Sequence, residues 1–170
     1  MQTEKEDLQF RRIALDDVQF MLRLTSNKEA TRFLPPMITD EEMMVSWIES
    51  LRPDEKEYIV CLNGEPVGEC SLSGNGNDTE VGFMLLPDYW GKGYGTQIVQ
   101  WLVCQAEKDG ITLLSAVTDS RNLAARRVLE KNGFTERRSG WLTMLSFESE
   151  ELGEGQDIVL YERRGKGEEP

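Results

Sequence analysis

A glycine-rich segment, residues 91–96, follows a short apolar run that ends at Pro87. Glycine lets the backbone adopt positive φ and approach a bulky group closely. The segment opens a predicted helix, whose first N–H groups and dipole favour an anion. Lys92 adds a positive charge at the same place. This pattern predicts a site for a pyrophosphate group.

Two other nucleotide-binding patterns fit the same segment less well. A Rossmann fingerprint needs Gly-x-Gly-x-x-Gly directly after a strand, whereas here the spacing is Gly-x-Gly-x-Gly and Pro87 intervenes. Asp119 ends the next predicted strand as a ribose-binding acid would, so a dinucleotide site stays an alternative. A P-loop needs Ser or Thr after Gly-Lys, and Gly93 stands there. A tight turn without a ligand is a third alternative, although glycines at a helix start are costly.

The composition excludes several kinds of chemistry. The chain has no histidine, which removes Ser-His-Asp, Cys-His and His-ligated metal catalysis. The spacing of Cys61, Cys70 and Cys104 matches no zinc pattern. We therefore predict buried or half-buried free thiols and no metal site.

The charge of the chain limits its partners. A net charge of −12 argues against nucleic-acid binding, which needs a cationic face. It is compatible with a cationic acceptor, although simple solubility explains it equally well. No apolar run approaches the roughly 20 residues of a membrane span, and the N-terminus has no signal-peptide pattern. We expect a cytoplasmic protein that contacts no membrane.

The periodicity of apolar residues predicts the element order β-α-α-β-β-β-α-β-α-β-β. A strand-helix-strand unit within it should be a right-handed parallel crossover. The predicted class is α+β (mixed α/β), with one sheet covered by helices. We expect one domain over residues 1–170, with frayed ends at 1–7 and 165–170. Late in the chain the pattern predicts a strand over 134–147, an acidic loop over 148–155 and a last strand over 158–162.

Short signals predict where elements begin and end. Asn63-Gly64 between two β-rich runs predicts a hairpin. Thr39 and Glu42 form a capping box before a helix with an apolar stripe. The other signals are an N-cap at Asp16 or Asp17, an N-cap at Asp119 or Ser120, helix ends at Asp109-Gly110 and Asn132-Gly133, and the stripe Met43, Met44, Trp47, Ile48 and Leu51.

A second motif lies about 27 residues past the glycine-rich loop: Asn122-x-x-Ala125, then Lys131-x-Gly133-Phe134. Paired with Tyr-Trp-Gly-Lys-Gly-Tyr-Gly at residues 89–95, it resembles the GNAT acetyltransferases. Within them the chain looks most like the branch that acetylates N-terminal amines of ribosomal proteins. The specific motifs lie in residues 80–134, and the predicted strand order extends the resemblance over most of the chain. The resemblance implies a mixed, mostly antiparallel sheet of about seven strands, with a splayed parallel pair and about four flanking helices.

The resemblance also implies acetyl-CoA as a co-substrate that lies between the splayed strands. The pantetheine arm would contact the strand before the glycine-rich loop, and the pyrophosphate would lie on that loop. Asn122 matches an asparagine that contacts the cofactor, with a helix N-cap as the alternative. The implied cofactor-binding residues are Phe83, Met84, Leu85, Gly91, Lys92, Gly93, Tyr94, Gly95, Thr96 and Asn122.

The reaction that the resemblance implies is direct acetyl transfer to a primary amine, either a protein N-terminus or a small amine. Alternation places Glu80, Gly82 and Met84 on one face of their strand. Glu80 is the candidate general base, with a solvated carboxylate as the alternative. A strand N–H such as that of Met84 would stabilise the oxyanion.

Two positions depart from the family pattern. The first loop position, often Gln or Arg in the superfamily, is Trp90 here, as is common in the branch. Many members carry a tyrosine seven residues after the asparagine, as general acid to the departing thiolate, and here that residue is Leu129. A thiol with a pKa of about 8.5 is still a tolerable leaving group. An inactive acyl-CoA-binding module therefore stays the alternative function. Arg126, Arg127 and Lys131 either meet the cofactor's 3′-phosphate or form a solvated helix face, and we expect a monomer or homodimer.

Overall fold

A computed structural model describes residues 7–142 and 156–165. Its strands are β1 Leu8–Arg12, β2 Lys56–Leu62, β3 Glu65–Ser73, β4 Thr79–Leu85, β5 Leu113–Asp119, β6 Thr135–Leu142 and β7 Gln156–Arg164. Its helices are α1 Val18–Thr25, α2 Glu41–Ser50, α3 Tyr94–Lys108 and α4 Leu123–Lys131. Short 3₁₀ turns lie at Leu15–Asp17, Gly76–Asp78 and Pro87–Tyr89.

The strands form one sheet in the order β1-β2-β3-β4-β5-β7-β6. Among the described strands only β4 and β5 are parallel neighbours, and all other neighbours are antiparallel. The predicted fold class and element order are thereby confirmed. The predicted strand segment 143–147, the acidic loop 148–155 and most of both chain ends lie outside the described residues. Within the described residues no helix has the length and apolar character to cross a membrane.

The hairpin and both predicted glycine helix ends are found. Asn63 and Gly64 have φ of 52° and 83°, as a two-residue hairpin turn with two left-handed positions requires. Gly110 and Gly133 follow α3 and α4 with φ of 73° and 82°. These positions were predictable because few other residues adopt positive φ without strain.

Two of the three predicted N-caps are wrong, by one to three residues. Asp40, not Thr39, caps α2, because its carboxylate accepts the N–H of Met43 at 2.9 Å. Asn122, not Asp119 or Ser120, caps α4. Asp119 instead binds Arg121 through both carboxylate oxygens. Adjacent polar residues compete for one cap, and the fold selects the one with the right backbone geometry.

The two faces of the sheet bury separate apolar clusters. The helices α3 and α4 cover one face, where Val81 on β4 and Leu114 on β5 are buried beneath them. The helices α1 and α2 cover the other, where Ile59 and Met84 are buried. The α2 stripe is narrower than predicted, since Met44 and Ile48 are buried but Met43 is 60% exposed. All three cysteines are free, and Cys104 is exposed rather than buried.

An ion pair fixes the turn that leads from β1 into α1. Asp17 is 3% exposed and accepts two hydrogen bonds from Arg11, at 2.6 and 2.8 Å. It also accepts the backbone N–H of Ala14 at 2.9 Å. The hydrogen bonds from Arg11 hold the pKa of Asp17 below its usual value, against the effect of desolvation, which is the largest single influence and raises it. Asp17 stands at the N-cap of α1, one of the two positions predicted, but its side chain makes no cap hydrogen bond there.

We expect Asp17→Ala to lower the free energy of unfolding by about 2 kcal/mol, because hydrogen bonds to a charged group are each worth about 1.5–3 kcal/mol. The neighbouring exposed residue gives the matched control, Asp16→Ala, which should change stability by less than about 0.5 kcal/mol. Urea unfolding measured by circular dichroism checks both. Equal losses in the two variants would contradict the role of the buried pair.

Candidate active site

The strands β4 and β5 separate soon after they begin. Only two residue pairs join them, Thr79 with Leu114 and Glu80 with Ser115. Beyond these pairs β4 continues to pair with β3, whereas β5 pairs with β7 along its whole length. The sheet therefore opens between β4 and β5 from Val81 onward. This confirms the splayed parallel pair that the resemblance implied.

The register decides which backbone groups of β4 face this opening. Leu86 donates its N–H to the carbonyl of Val67 at 3.0 Å. Because the direction of these groups alternates along an antiparallel strand, those of Met84 point to β3. The groups of Phe83 and Leu85 point to the opening. The register thus favours Phe83 and Leu85 over Met84 as backbone partners for a ligand.

Large apolar side chains remain exposed beside the opening. Trp90 is 45% exposed, Val117 is 42% exposed on the part of β5 that β4 does not pair with, and Leu123 is 55% exposed at the start of α4. Trp90 is oriented by its indole N–H, which donates to the carbonyl of Leu85 at 3.0 Å. Exposed apolar surface that lines a cleft is typical of a ligand-binding groove.

The glycine-rich loop adopts the backbone that a close ligand contact requires. Gly91 and Gly93 have φ of 71° and 84°, and no heavy atom lies within 4 Å of where a Cβ would be. Gly93 is the N-cap of α3, and the first helical bond runs from Gln97 N–H to the Gly93 carbonyl at 3.2 Å. The amides of residues 94–96 therefore precede the helical ladder and sit at its positive end. Lys92 is exposed beside them, with Nζ 5.6 Å from the Tyr89 ring centroid.

Gly95 is explained by packing rather than by backbone conformation. A Cβ at this position would lie 3.2 Å from Cγ2 of Val128 on α4 and 3.6 Å from the Phe83 ring. The missing side chain lets α3 approach α4 and β4 closely. Sequence reasoning had attributed all three glycines of the loop to one cause, and the structure separates them.

Asn122 combines the two roles that the sequence left open. Its Oδ1 accepts the N–H of Ala125 at 3.1 Å, so it caps α4. Within residues 7–142 and 156–165 its Nδ2 makes no hydrogen bond to the protein and can still donate to a ligand. Leu129 is 2% exposed in the core that α3 and α4 cover. That residue therefore packs, and supplies no proton.

Arg126 differs from the other cations of α4. It donates to the hydroxyl of Tyr161 at 3.0 Å and to the carbonyl of Ser120 at 3.2 Å. It thereby joins α4 to β7, and it is not part of a solvated helix face. Arg127 and Lys131 are exposed, as that alternative predicted. Among the described residues no group of three or more metal-ligating side chains is present.

A row of small and acidic residues crosses the sheet on the face that α1 and α2 cover. Cross-strand pairing aligns Glu57, Ser71 and Gly82. A Cβ at Gly82 would lie 2.9 Å from the Ser71 hydroxyl oxygen, so the Ser71 side chain occupies the space that a larger residue at position 82 would need. Glu80 occupies the next row beside Ser115, at the point where the opening begins. Although Glu80 is an exposed residue, partial burial of its carboxyl raises its pKa above the usual value.

Glu69 was missed by sequence reasoning. It stands between two buried apolar side chains, Ile59 on β2 and Met84 on β4. Burial of its carboxyl, and secondarily the charge of Glu57, raise the pKa of Glu69 to about 8. Burial and then the charge of Glu55 raise the pKa of Glu57 to about 7. The available signal was a glutamate inside an otherwise apolar strand, but only the register reveals its neighbours.

The sequence matches the family model described as Acetyltransferase (GNAT) domain over residues 7–135. The chain belongs to the GNAT acetyltransferase family. The match covers β1 through the first residue of β6, including the opening and the glycine-rich loop. The chain is therefore an acyltransferase, as the sequence predicted.

Individual relatives agree with this assignment. An uncharacterized N-acetyltransferase of Methanocaldococcus jannaschii is 29% identical over 106 residues, which are 56% of this chain and 47% of that protein. The chain thus matches about half the length of that relative. A GNAT-family acetyltransferase from Bacillus anthracis has a TM-score of 0.75 at 23% identity, covering 94% of this chain and 96% of that one. RimL, a ribosomal L7/L12 α-N-protein acetyltransferase solved with Coenzyme A, has a TM-score of 0.78 at 20% identity, covering 97% of both chains.

The raised pKa of Glu69 gives a stability prediction. Between about pH 4.3, the usual pKa of glutamate, and about pH 8 the folded carboxyl holds a proton that the unfolded chain has lost. The unfolded state then binds fewer protons, so this group makes stability fall as pH rises through that window. We therefore expect the free energy of unfolding of Glu69→Gln, relative to that of the unaltered protein, to increase from pH 5 to pH 8. Above pH 8 this difference should stay constant.

Urea unfolding at pH 5, 6.5, 8 and 9 measures this difference. Glu65→Gln, which alters an exposed carboxylate at the start of the same strand, is the control and should parallel the unaltered protein. A Glu69→Gln difference that does not change with pH would contradict the assignment of a desolvated carboxyl.

Proposed function

We propose that this protein is an acetyl-CoA-dependent N-acetyltransferase that transfers the acetyl group directly to a primary amine. The observation that carries the proposal is the opening between β4 and β5, which leads to the positive-φ glycine loop at the start of α3. Coenzyme A in the solved structure of RimL supports the same use of this fold. Free thiols at all three cysteines fit a reducing compartment, and we propose a cytoplasmic location.

The described residues fit the parts of acetyl-CoA. The backbone groups of Phe83 and Leu85 are directed to the opening and suit the amides of the pantetheine arm. Open space at Gly91 and Gly93, together with the helix amides of residues 94–96 and the charge of Lys92, suits the pyrophosphate. The Nδ2 group of Asn122 is available from the opposite side.

The chemistry asks the protein mainly to position two substrates and remove a proton. The thioester supplies an activated acetyl group. The neutral acceptor nitrogen attacks the carbonyl carbon, the carbon–sulfur bond breaks, and CoA leaves as the thiolate. The nitrogen releases a proton to solvent as the amide forms, and the thiolate takes a proton up from solvent. A free alkylamine is mostly protonated near pH 7, as the alkylammonium ion, and must lose that proton before it can attack. Glu80, with its raised pKa and its place where the opening begins, is our candidate to accept it.

A second function rests on one observation. Leu129 is buried where many family members carry a tyrosine as general acid. An acyl-CoA-binding module without catalysis would explain that residue. Because a thiolate is a tolerable leaving group, we favour the enzyme. The two functions differ in whether acetyl-CoA is consumed when an amine is present.

The loop assignment is tested by Gly93→Ala. Alanine at φ of 84° is strained, so the loop should open and weaken acetyl-CoA binding by about tenfold, which corresponds to about 1.4 kcal/mol. The matched control is Gly110→Ala, because Gly110 also has positive φ and open surroundings but lies at the far end of α3. Isothermal titration gives the Kd. Equal weakening in both variants would show that strain, not the loop, sets affinity.

The catalytic assignment is tested by Glu80→Gln. We expect kcat/KM for amine acetylation to fall by about 10²–10⁴, the usual contribution of a general base, while the Kd of acetyl-CoA stays unchanged. Thiol release with a panel of primary amines measures turnover. Glu65→Gln is the matched control and should retain activity. If the unaltered protein binds acetyl-CoA but acetylates no amine, the binding-module alternative replaces the enzyme.

A further inference from the structure

Gly68 is a buried glycine of β3 that no turn and no special conformation explains. It lies inside the strand, and its φ is outside the left-handed region that favours glycine. A glycine inside a strand costs stability, because it packs no side chain and gains the most conformational freedom on unfolding. Such a glycine often marks a place where another backbone approaches closely.

The backbone of β4 makes this close approach. Gly68 pairs with Leu85, and a Cβ at Gly68 would overlap the carbonyl oxygen of Met84. The same Cβ would lie 2.7 Å from Cδ2 of Leu85 and 3.3 Å from its Cα. Favourable contacts between carbon atoms are about 3.5–4.0 Å long. Two of these three contacts are with the main chain of β4, so a side-chain rotation cannot relieve them.

A bulge in β3 brings its backbone toward β4 at this point. The register between β2 and β3 shifts beside Gly68, so that Val67 has no partner in β2. A bulge bends its strand and increases the local twist. The carbonyl of Val67 accepts the N–H of Leu86 at 3.0 Å, and this hydrogen bond holds the end of β4 against β3. The bulge and the glycine thus act on the same part of β4.

The distance of β4 from β3 sets the width of the opening on the other side of β4. The carbonyl of Met84 points to β3 within the sheet, so a larger residue at position 68 would push β4 toward β5. β5 is held in place by β7 along its whole length. Only two residue pairs join β4 to β5, and both lie at the start of β4, so little resists this movement near Leu85.

We infer that Gly68 is a positioning residue for the cofactor, because its missing side chain lets β4 stand close to β3 and keeps the opening wide enough for the pantetheine arm of acetyl-CoA. This inference rests on the proposed binding of acetyl-CoA in the opening. β4 stands between Gly68 and the opening. Gly68 therefore acts through the backbone of Phe83 and Leu85, whose groups face the opening.

Gly68→Ala tests the inference with two ligands that use different parts of the site. Acetyl-CoA has the pantetheine arm, whereas 3′-phosphoadenosine 5′-diphosphate has the pyrophosphate without the arm. We expect the Kd of acetyl-CoA to rise about tenfold, which corresponds to about 1.4 kcal/mol, a usual cost of overpacking. The Kd of 3′-phosphoadenosine 5′-diphosphate should change by less than about twofold, because the glycine-rich loop stays intact. Isothermal titration measures both.

Two control variants separate this effect from a general loss of stability. Gly82 on β4 also faces β3, but a Cβ there would meet only the hydroxyl oxygen of Ser71, at 2.9 Å. A serine side chain can rotate away, so Gly82→Ala should leave β4 in place and keep both Kd values. Val60→Ala removes buried methyl groups beside Gly68. It should lower the Tm without raising the Kd of acetyl-CoA.

Each outcome decides the inference. An unchanged Kd of acetyl-CoA in Gly68→Ala overturns it, and so does an equal weakening of both ligands, which would indicate a general disturbance of the site. Because little resists the movement of β4, Gly68→Ala should fold, as circular dichroism can check. A variant that does not fold would show that β4 cannot yield toward the opening, and it also overturns the inference. Failure of the unaltered protein to bind acetyl-CoA is a distinct outcome, which overturns the proposed function itself.

Discussion

The structure depends on how β4 is shared between two neighbours that diverge. Six residue pairs hold it to β3, but only two hold it to β5, which is committed to β7 along seven pairs. The backbone groups of Val81, Phe83 and Leu85 consequently lose a strand partner, and a buried backbone group needs one. The indole of Trp90 supplies one partner, to the carbonyl of Leu85. The remaining groups make the opening a place for a ligand with its own amides.

Alternation along β4 divides two tasks between the faces of the sheet. Backbone groups of odd-numbered residues such as Phe83 are directed to the opening, while side chains of even-numbered residues such as Met84 lie on the α1/α2 face. One short strand can thus contact a cofactor through its main chain and an acceptor through its side chains. The glycines divide similarly: Gly93 supplies a left-handed backbone, and Gly95 supplies close helix packing.

Sequence predicted the features that depend on local chemistry. The hairpin at Asn63-Gly64 and the glycine loop were predictable because positive φ restricts the residue type. The element order followed from apolar periodicity. The N-caps were less predictable, since Thr39 and Asp40 are both suitable cap residues and only the backbone conformation decides between them. Glu69 was not predictable as a site residue, because its significance comes from Ile59 and Met84 on other strands, and no local pattern contains a register.

The desolvated carboxyls on the α1/α2 face lower the stability of the fold. A valine or threonine in place of Glu69 would suit a row between Ile59 and Met84 and would avoid desolvating an acid. The fold instead holds Glu57, Glu69 and Glu80 with raised pKa values, and the charge of Arg12 lowers the pKa of Glu57 only in part. Positions that break a local rule without a structural gain are those where function is expected. The buried Leu129 means that the opposite side of the opening adds no acid. Proton handling in the proposed reaction therefore falls to the acceptor side, where the unpaired acids are.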